Sequence, residues 1–217
     1  MNETALFFAL VGAAVSVGSL HSLAPDHWVP FAALARAQAW STARTARITV
    51  LCGFGHVTVS ALLGLLGLAF GRAIFENAGR KMEAVAGVLL IGFGLAYGVW
   101  GLKRAAGRRV HGHVHAHYDH IHEASKKTTW SLFVLFSSDP CVAVIPLLFA
   151  AASLEAASTV ALVLLYEAAT IGTMVALVLS ARAGVSLLRL PWLDHWGDAM
   201  AGGLIVATGL VVTALGI

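Results

Sequence analysis

Charge is what this sequence has least of. Asp, Glu, Lys and Arg make up 12% of its 217 residues, while 59% are hydrophobic. A soluble domain carries about twice that charged share. The mean hydropathy is +0.82, and several apolar runs approach the ~20 residues that cross a bilayer core. An ordinary water-soluble domain is excluded, and an integral membrane protein is expected. Cysteine is scarce too. Cys52 and Cys141 are the two present, both inside apolar runs, which argues against a secreted disulfide framework. The opening "MNETALFF" has no Lys or Arg, so the basic start of a cleaved signal peptide is missing and the first span is taken to begin there. No phosphate-binding Gly-rich motif followed by Lys is present, which leaves no ATP-driven reading. The net charge of +3 does not signal nucleic acid, because the basic residues fall between apolar runs as topology determinants.

What is present is a succession of apolar segments. Six spans are expected, at about 5–36, 46–71, 82–102, 129–152, 157–181 and 197–217. The first is too long for one straight crossing and contains Pro25 and Pro30. The hydrophilic stretch 103–128 divides the chain into a first unit, 1–102, and a second, 129–217. Eleven of the fourteen basic residues fall on one side of the spans: Arg36, Arg44, Arg47, Lys103, Arg104, Arg108, Arg109, Lys126, Lys127, Arg182 and Arg189. The positive-inside rule assigns that side to the cytoplasm of a cell-membrane protein, with both termini outside and the long loop inside.

The two units resemble each other. "EAVAGVLLIGFGL" from Glu83 and "DAMAGGLIVATGL" from Asp198 match at a shift of 115, which also carries Pro25 onto Pro140. Three spans per unit means opposite orientations, so the expected fold is all-α, with six transmembrane helices forming two inverted three-helix repeats. Repeats of this kind are typical of secondary transporters, whose sites lie near midplane on broken helices.

Ionisable residues inside a span cost ~2.5–3.5 kcal/mol or more at the helix centre, yet several fall at similar depth. Within "LHSLAPDHWVPF", His21, Asp26 and His27 surround Pro25. In a regular helix they cannot share a face, but unwinding at the proline lets them converge. Non-helical backbone at that depth is tolerable where it lines a cavity or is buried in protein. Imidazoles with a carboxylate suit Ni²⁺, Co²⁺ or Zn²⁺. His56, Cys141 and Glu167 fall near the middle of spans two, four and five and complete the candidate metal set. Glu167 is alternatively a proton-exchanging group, and Asp139 is a ligand or a cap. The insert "VHGHVHAHYDHIHE" offers His111, His113, His115, His117, His120 and His122 as a metal-capture loop. Glu83 and Asp198 are expected at helix starts. Trp40, Trp100, Trp130, Trp192 and Trp196 are expected in an interfacial belt.

"HSLAPDH" is an H-x4-D-H sequence and resembles the signature of the nickel/cobalt transporter family. "GFGHVTVS", "DPCVAVIPLL" and the His-rich insert resemble features of the related six-span nickel/cobalt exporters. The resemblance implies that His21, Asp26 and His27 recognise and pass the metal, with His56 as a further ligand or gate. It implies a non-enzymatic transporter with no resident cofactor, Ni²⁺ or Co²⁺ (or Zn²⁺) as cargo, and efflux slightly favoured over uptake. Its partners are the metal ions and the bilayer, not nucleic acid, and a homo-oligomer is left open. Departures from the pattern are the six spans, against eight in the uptake transporters, and Asp26 where the exporters carry glycine. Two alternatives stand beside transport. One is a metal-delivery accessory of the urease or hydrogenase maturation type. The other is a thiol–disulfide carrier, disfavoured because the shift of 115 places Asp26, not a cysteine, opposite Cys141.

Overall fold

The computed structural model describes residues 2–70, 72–108, 118–139, 141, 143–186 and 191–215. They form eight helices and, among the described residues, no strand: α1 Glu3–His21, α2 Pro25–Ala37, α3 Thr42–Phe70, α4 Arg72–Arg108, α5 Tyr118–Ser137, α6 Val144–Ala151, α7 Ala156–Ser186 and α8 Pro191–Leu215. Among the described residues, five helices are long and apolar enough to cross a membrane, namely α1, α3, α4, α7 and α8. This is the pattern of a multi-pass membrane protein. Outward positions on them carry large apolar side chains, such as Phe8, Phe54, Leu62, Leu95 and Leu164.

The expected first span is two helices. Asn2 caps α1 by accepting the backbone N–H of Ala5 at 2.9 Å, and Ser22 ends it. Pro25 then begins α2, a position where its missing N–H costs nothing. The unwound turn is therefore Ser22–Ala24, just before the proline. The expected fourth span is also divided, into α5 and α6, with a non-helical stretch around Asp139 and Cys141. Helices α3, α4, α7 and α8 each run several residues beyond the expected spans.

Helices α4 and α8 lie against each other through glycines. A Cβ on Gly94 would meet the backbone of Gly202 and Val206, and one on Gly209 would meet Gly87 and Ile91. Gly87 approaches Thr213 while Gly101 approaches Asp198, so the two helices are antiparallel. Small residues here let the backbones touch, the usual basis of packing in lipid. Helix α1 meets α7 where Gly18 faces Tyr166 and Thr170, and α3 meets α5 where Gly55 faces Phe133 and Ser137.

Two apolar cores result. One gathers Phe31, Leu34, Trp40, Cys52, Leu132, Met174, Val178 and Ile205. The other gathers Leu10, Ala14, Val57, Val144, Leu148, Leu162 and Tyr166. Along α1–α2, α3 and α7 the first core takes residues from one end and the second from the other, with a polar layer between them.

Three expectations change. Glu83 lies well inside α4, which begins at Arg72, and Asp198 lies in the third turn of α8, so neither opens a helix. Asp198 is buried and accepts from Tyr97 Oη at 2.7 Å and Arg104 Nη1 at 2.8 Å. Asp194 and His195, which fall between the expected spans 157–181 and 197–217, belong to α8. Trp40 is 2% exposed and donates from its ring N–H to Gln38 at 3.1 Å, so it is core rather than belt. Trp100 and Trp130 are exposed, as a belt requires.

Candidate metal centre

The polar layer is built from the breaks. His21 is the last residue of α1, and Asp26 and His27 are the second and third of α2. Unwinding over Ser22–Ala24 removes the angular constraint of a continuous helix and swings His27 beside His21, with ring centroids 4.4 Å apart. Ser22 is buried and donates its hydroxyl to the carbonyl of Gly18 at 2.7 Å, with the Thr170 carbonyl of α7 at 3.1 Å. The loose end of α1 is thereby fastened. Pro30 lacks the N–H that would bond the Asp26 carbonyl, so this turn of α2 stays partly open as well.

His56 comes from an unbroken helix. It stands at the centre of the 29-residue α3, with fourteen residues on either side, and is 1% exposed. Its Nδ1 lies 3.2 Å from the Phe136 carbonyl at the end of α5. A carbonyl can only accept, so Nδ1 carries the hydrogen and the Nε2 lone pair points inward. Ligating histidines are commonly held this way. That Nε2 is 3.4 Å from His27 Nε2, and the His56 ring stacks parallel to His21 with centroids 6.1 Å apart. His27 Nδ1 in turn is 3.0 Å from Asp26 Oδ1.

Cys141 enters from the stretch between α5 and α6. Its backbone N–H donates to Ser60 Oγ, and Ser60 donates to the His56 carbonyl one turn back along α3 at 2.6 Å. One serine thus fixes the cysteine against the turn that carries His56. Cys141 Sγ lies 2.7 Å from Tyr166 Oη.

His21, His56 and Cys141 each offer a donor atom, and the three atoms all lie within 4.8 Å of one another. Tetrahedral metal–donor bonds of ~2.0–2.3 Å put donors roughly 3.3–3.8 Å apart, so the group must close by about 1 Å to hold an ion. The His21 Nε2 atom is buried without a hydrogen bond to any described residue, so it has a lone pair or proton to offer. Two imidazoles and a sulfur suit borderline and soft transition metals and suit Mg²⁺ or Ca²⁺ poorly.

Of the six expected ligands, the structure gathers five. His21, His56 and Cys141 form the group that can hold an ion, His27 adjoins it through His56, and Asp26 adjoins His27. Glu167 stands apart, half-buried on α7, with Oε1 making no hydrogen bond to any described residue. Asp26 also lines a small crevice with Asp139, Ala86, Gly87 and Val212. In the expected capture loop, His111, His113, His115 and His117, like Pro140 beside Cys141, lie outside the described residues. His120 and His122 fall in the first turns of α5. Sequence reasoning missed Ser60 and Tyr166. A hydroxyl one turn after His56 was the available signal for Ser60. For Tyr166 there was none, since an aromatic residue in an apolar helix reads as packing.

No protein-family model matches the chain, and neither a curated protein nor a solved structure does.

Proposed function

We propose that this protein is a secondary transporter for divalent transition-metal ions, of the nickel/cobalt transporter type its motifs resemble. In this reading His21, His56 and Cys141 form the central binding site, and His27 and Asp26 lie on the route beside it. The observation that carries it is the convergence of two imidazoles and a thiol at the mid-length of α3, between two apolar cores. Such donors at that depth are costly unless they have a task. The two apolar cores lie to either side of the site along the helices, where alternating access would place its gates. Ni²⁺, Co²⁺ and Zn²⁺ fit the donor set, and gradients of protons, other ions or the metal itself would supply the energy. Eleven basic residues on the far side from the termini favour a cytoplasmic position for that side, with the His-rich loop there as a collector for efflux.

The six-span inverted repeat belongs to the same proposal. Its support is that contacts recur at the shift of 115. The shift carries Gly18 to Phe133 and Gly55 to Thr170, and Gly18 faces Thr170 as Gly55 faces Phe133. It likewise carries Gly94 to Gly209 and Gly87 to Gly202, and Gly94 faces Gly202 as Gly87 faces Gly209. Taking α1 with α2, and α5 with α6, as one broken span each gives six.

The test is uptake of Ni²⁺, Co²⁺ and Zn²⁺ into proteoliposomes, wild type against His27→Ala, under pH gradients of either sense. Flux in the wild type that is lost in the folded variant supports transport, and its response to the gradient identifies the coupling. Metal binding without flux would replace transport with a metal-delivery role.

A further inference from the structure

The least expected contact of the centre lies behind its sulfur. Cys141 is 1% exposed and Tyr166 is fully buried. Both belong to the apolar core formed with Leu10, Ala14, Val57, Val144 and Leu162. The phenolic oxygen of Tyr166 and Cys141 Sγ are 2.7 Å apart. In the metal-free protein either atom can donate. With an ion bound the choice disappears. The ion displaces the thiol proton to water, the sulfur becomes an anion with no hydrogen, and the bond can come only from the Tyr166 O–H. An anionic sulfur in apolar surroundings is expensive without such a donor, and bonds to charged acceptors are the strong ones. Ser60 fixes the backbone of Cys141 but offers its sulfur nothing, because its own hydrogen goes to the His56 carbonyl. The backbone N–H groups of Ala143 and Val144 face the sulfur, and the Tyr166 O–H is its side-chain donor.

Building on the proposed transport site, we infer that Tyr166 is a positioning and specificity-determining residue. It donates to the metal-bound sulfur of Cys141 and so tilts the centre toward sulfur-preferring divalent ions, the Zn²⁺ and Cd²⁺ class. Without its hydroxyl the two imidazoles remain, but the sulfur keeps only the backbone N–H groups of Ala143 and Val144 as donors, and the centre shifts toward nitrogen-preferring ions. Tyr166 touches no ion itself and acts through Cys141 alone.

The experiment uses the full chain in detergent, titrated with Co²⁺ and with Cd²⁺, reading affinity by calorimetry and the sulfur-to-metal absorption band by spectroscopy. Wild type, Tyr166→Phe, Cys141→Ser and the double variant form a cycle. Phenylalanine keeps the ring that packs the core, and thermal melting confirms the fold. The expected result is a roughly 10–100-fold loss of Cd²⁺ affinity in Tyr166→Phe, as for other partners of ligating side chains. The loss for Co²⁺ should be smaller, and the sulfur band should shift. In the Cys141→Ser background, Tyr166→Phe should change nothing further. A merely structural tyrosine would leave the band in place and weaken both backgrounds alike, and that outcome overturns the inference. So does a wild type that binds metal without any sulfur band, which leaves the transport reading standing. A wild type that binds neither metal overturns both.

Discussion

His27 Nε2 lies 3.4 Å from His56 Nε2, which joins a side chain from a broken helix to one from the middle of an unbroken helix. The pair connects the metal-capable group to Asp26. It also makes the centre sensitive to residues that are not themselves close to Cys141.

Replacing His21 or His56 by alanine is expected to abolish high-affinity Co²⁺ binding, since each removes one of three donors. Both proteins should remain inserted and monodisperse by size-exclusion chromatography. Calorimetry on the purified variants measures the loss. Undiminished binding in His56→Ala would remove the centre from consideration.

Glu167→Gln should leave Co²⁺ affinity unchanged, because Glu167 does not join the donor group. The same variant in vesicles separates a ligand from a proton carrier. Lost flux with intact binding would assign Glu167 to the coupling step.

The glycine interface of α4 and α8 provides a stability comparison within two adjacent residues. A Cβ at Gly202 would collide with the backbone of Gly98, whereas one at Gly203 meets nothing within 4 Å. Gly202→Ala should therefore destabilise by about 1–3 kcal/mol, the usual cost of forced overpacking. Gly203→Ala should be neutral or slightly stabilising through its helix propensity. Thermal melting of both in the same detergent reads the difference.

Asp198→Ala leaves Tyr97 Oη and Arg104 without their acceptor. Asp198 is buried, so the expected cost is about 1–3 kcal/mol, with Asp198→Asn milder because its amide oxygen still accepts from Tyr97. The order of melting temperatures, wild type above Asn above Ala, checks the assignment of Asp198 as a tie between α8 and α4.

Deleting residues 111–122 should weaken capture of metal at low concentration without abolishing flux at saturating concentration. Transport measured across a range of Ni²⁺ concentrations distinguishes a higher half-saturation point from a lower maximum rate.

The sequence by itself determined the class of this protein. Low charge and long apolar runs leave a chain no soluble alternative, because burying that much apolar surface in water-facing helices is impossible and lipid makes it unnecessary. It also determined where ionisable groups enter the membrane-spanning segments, since their cost in an apolar run is visible one residue at a time. His21, Asp26, His27, His56 and Cys141 were all legible on that ground. Only the tertiary structure decided which of them meet. Position along a helix gives depth but not azimuth, and two unwound stretches, Ser22–Ala24 and the one around Asp139, reset the azimuth of everything after them. Glu167 has the right depth but stands outside the donor group, while Ser60, signalled only by a hydroxyl one turn after His56, and Tyr166, silent in the sequence, hold Cys141. Their roles arise from contacts across helices, 81 residues apart for Ser60 and Cys141 and 25 for Cys141 and Tyr166. No local pattern encodes such contacts, so packing had to supply them.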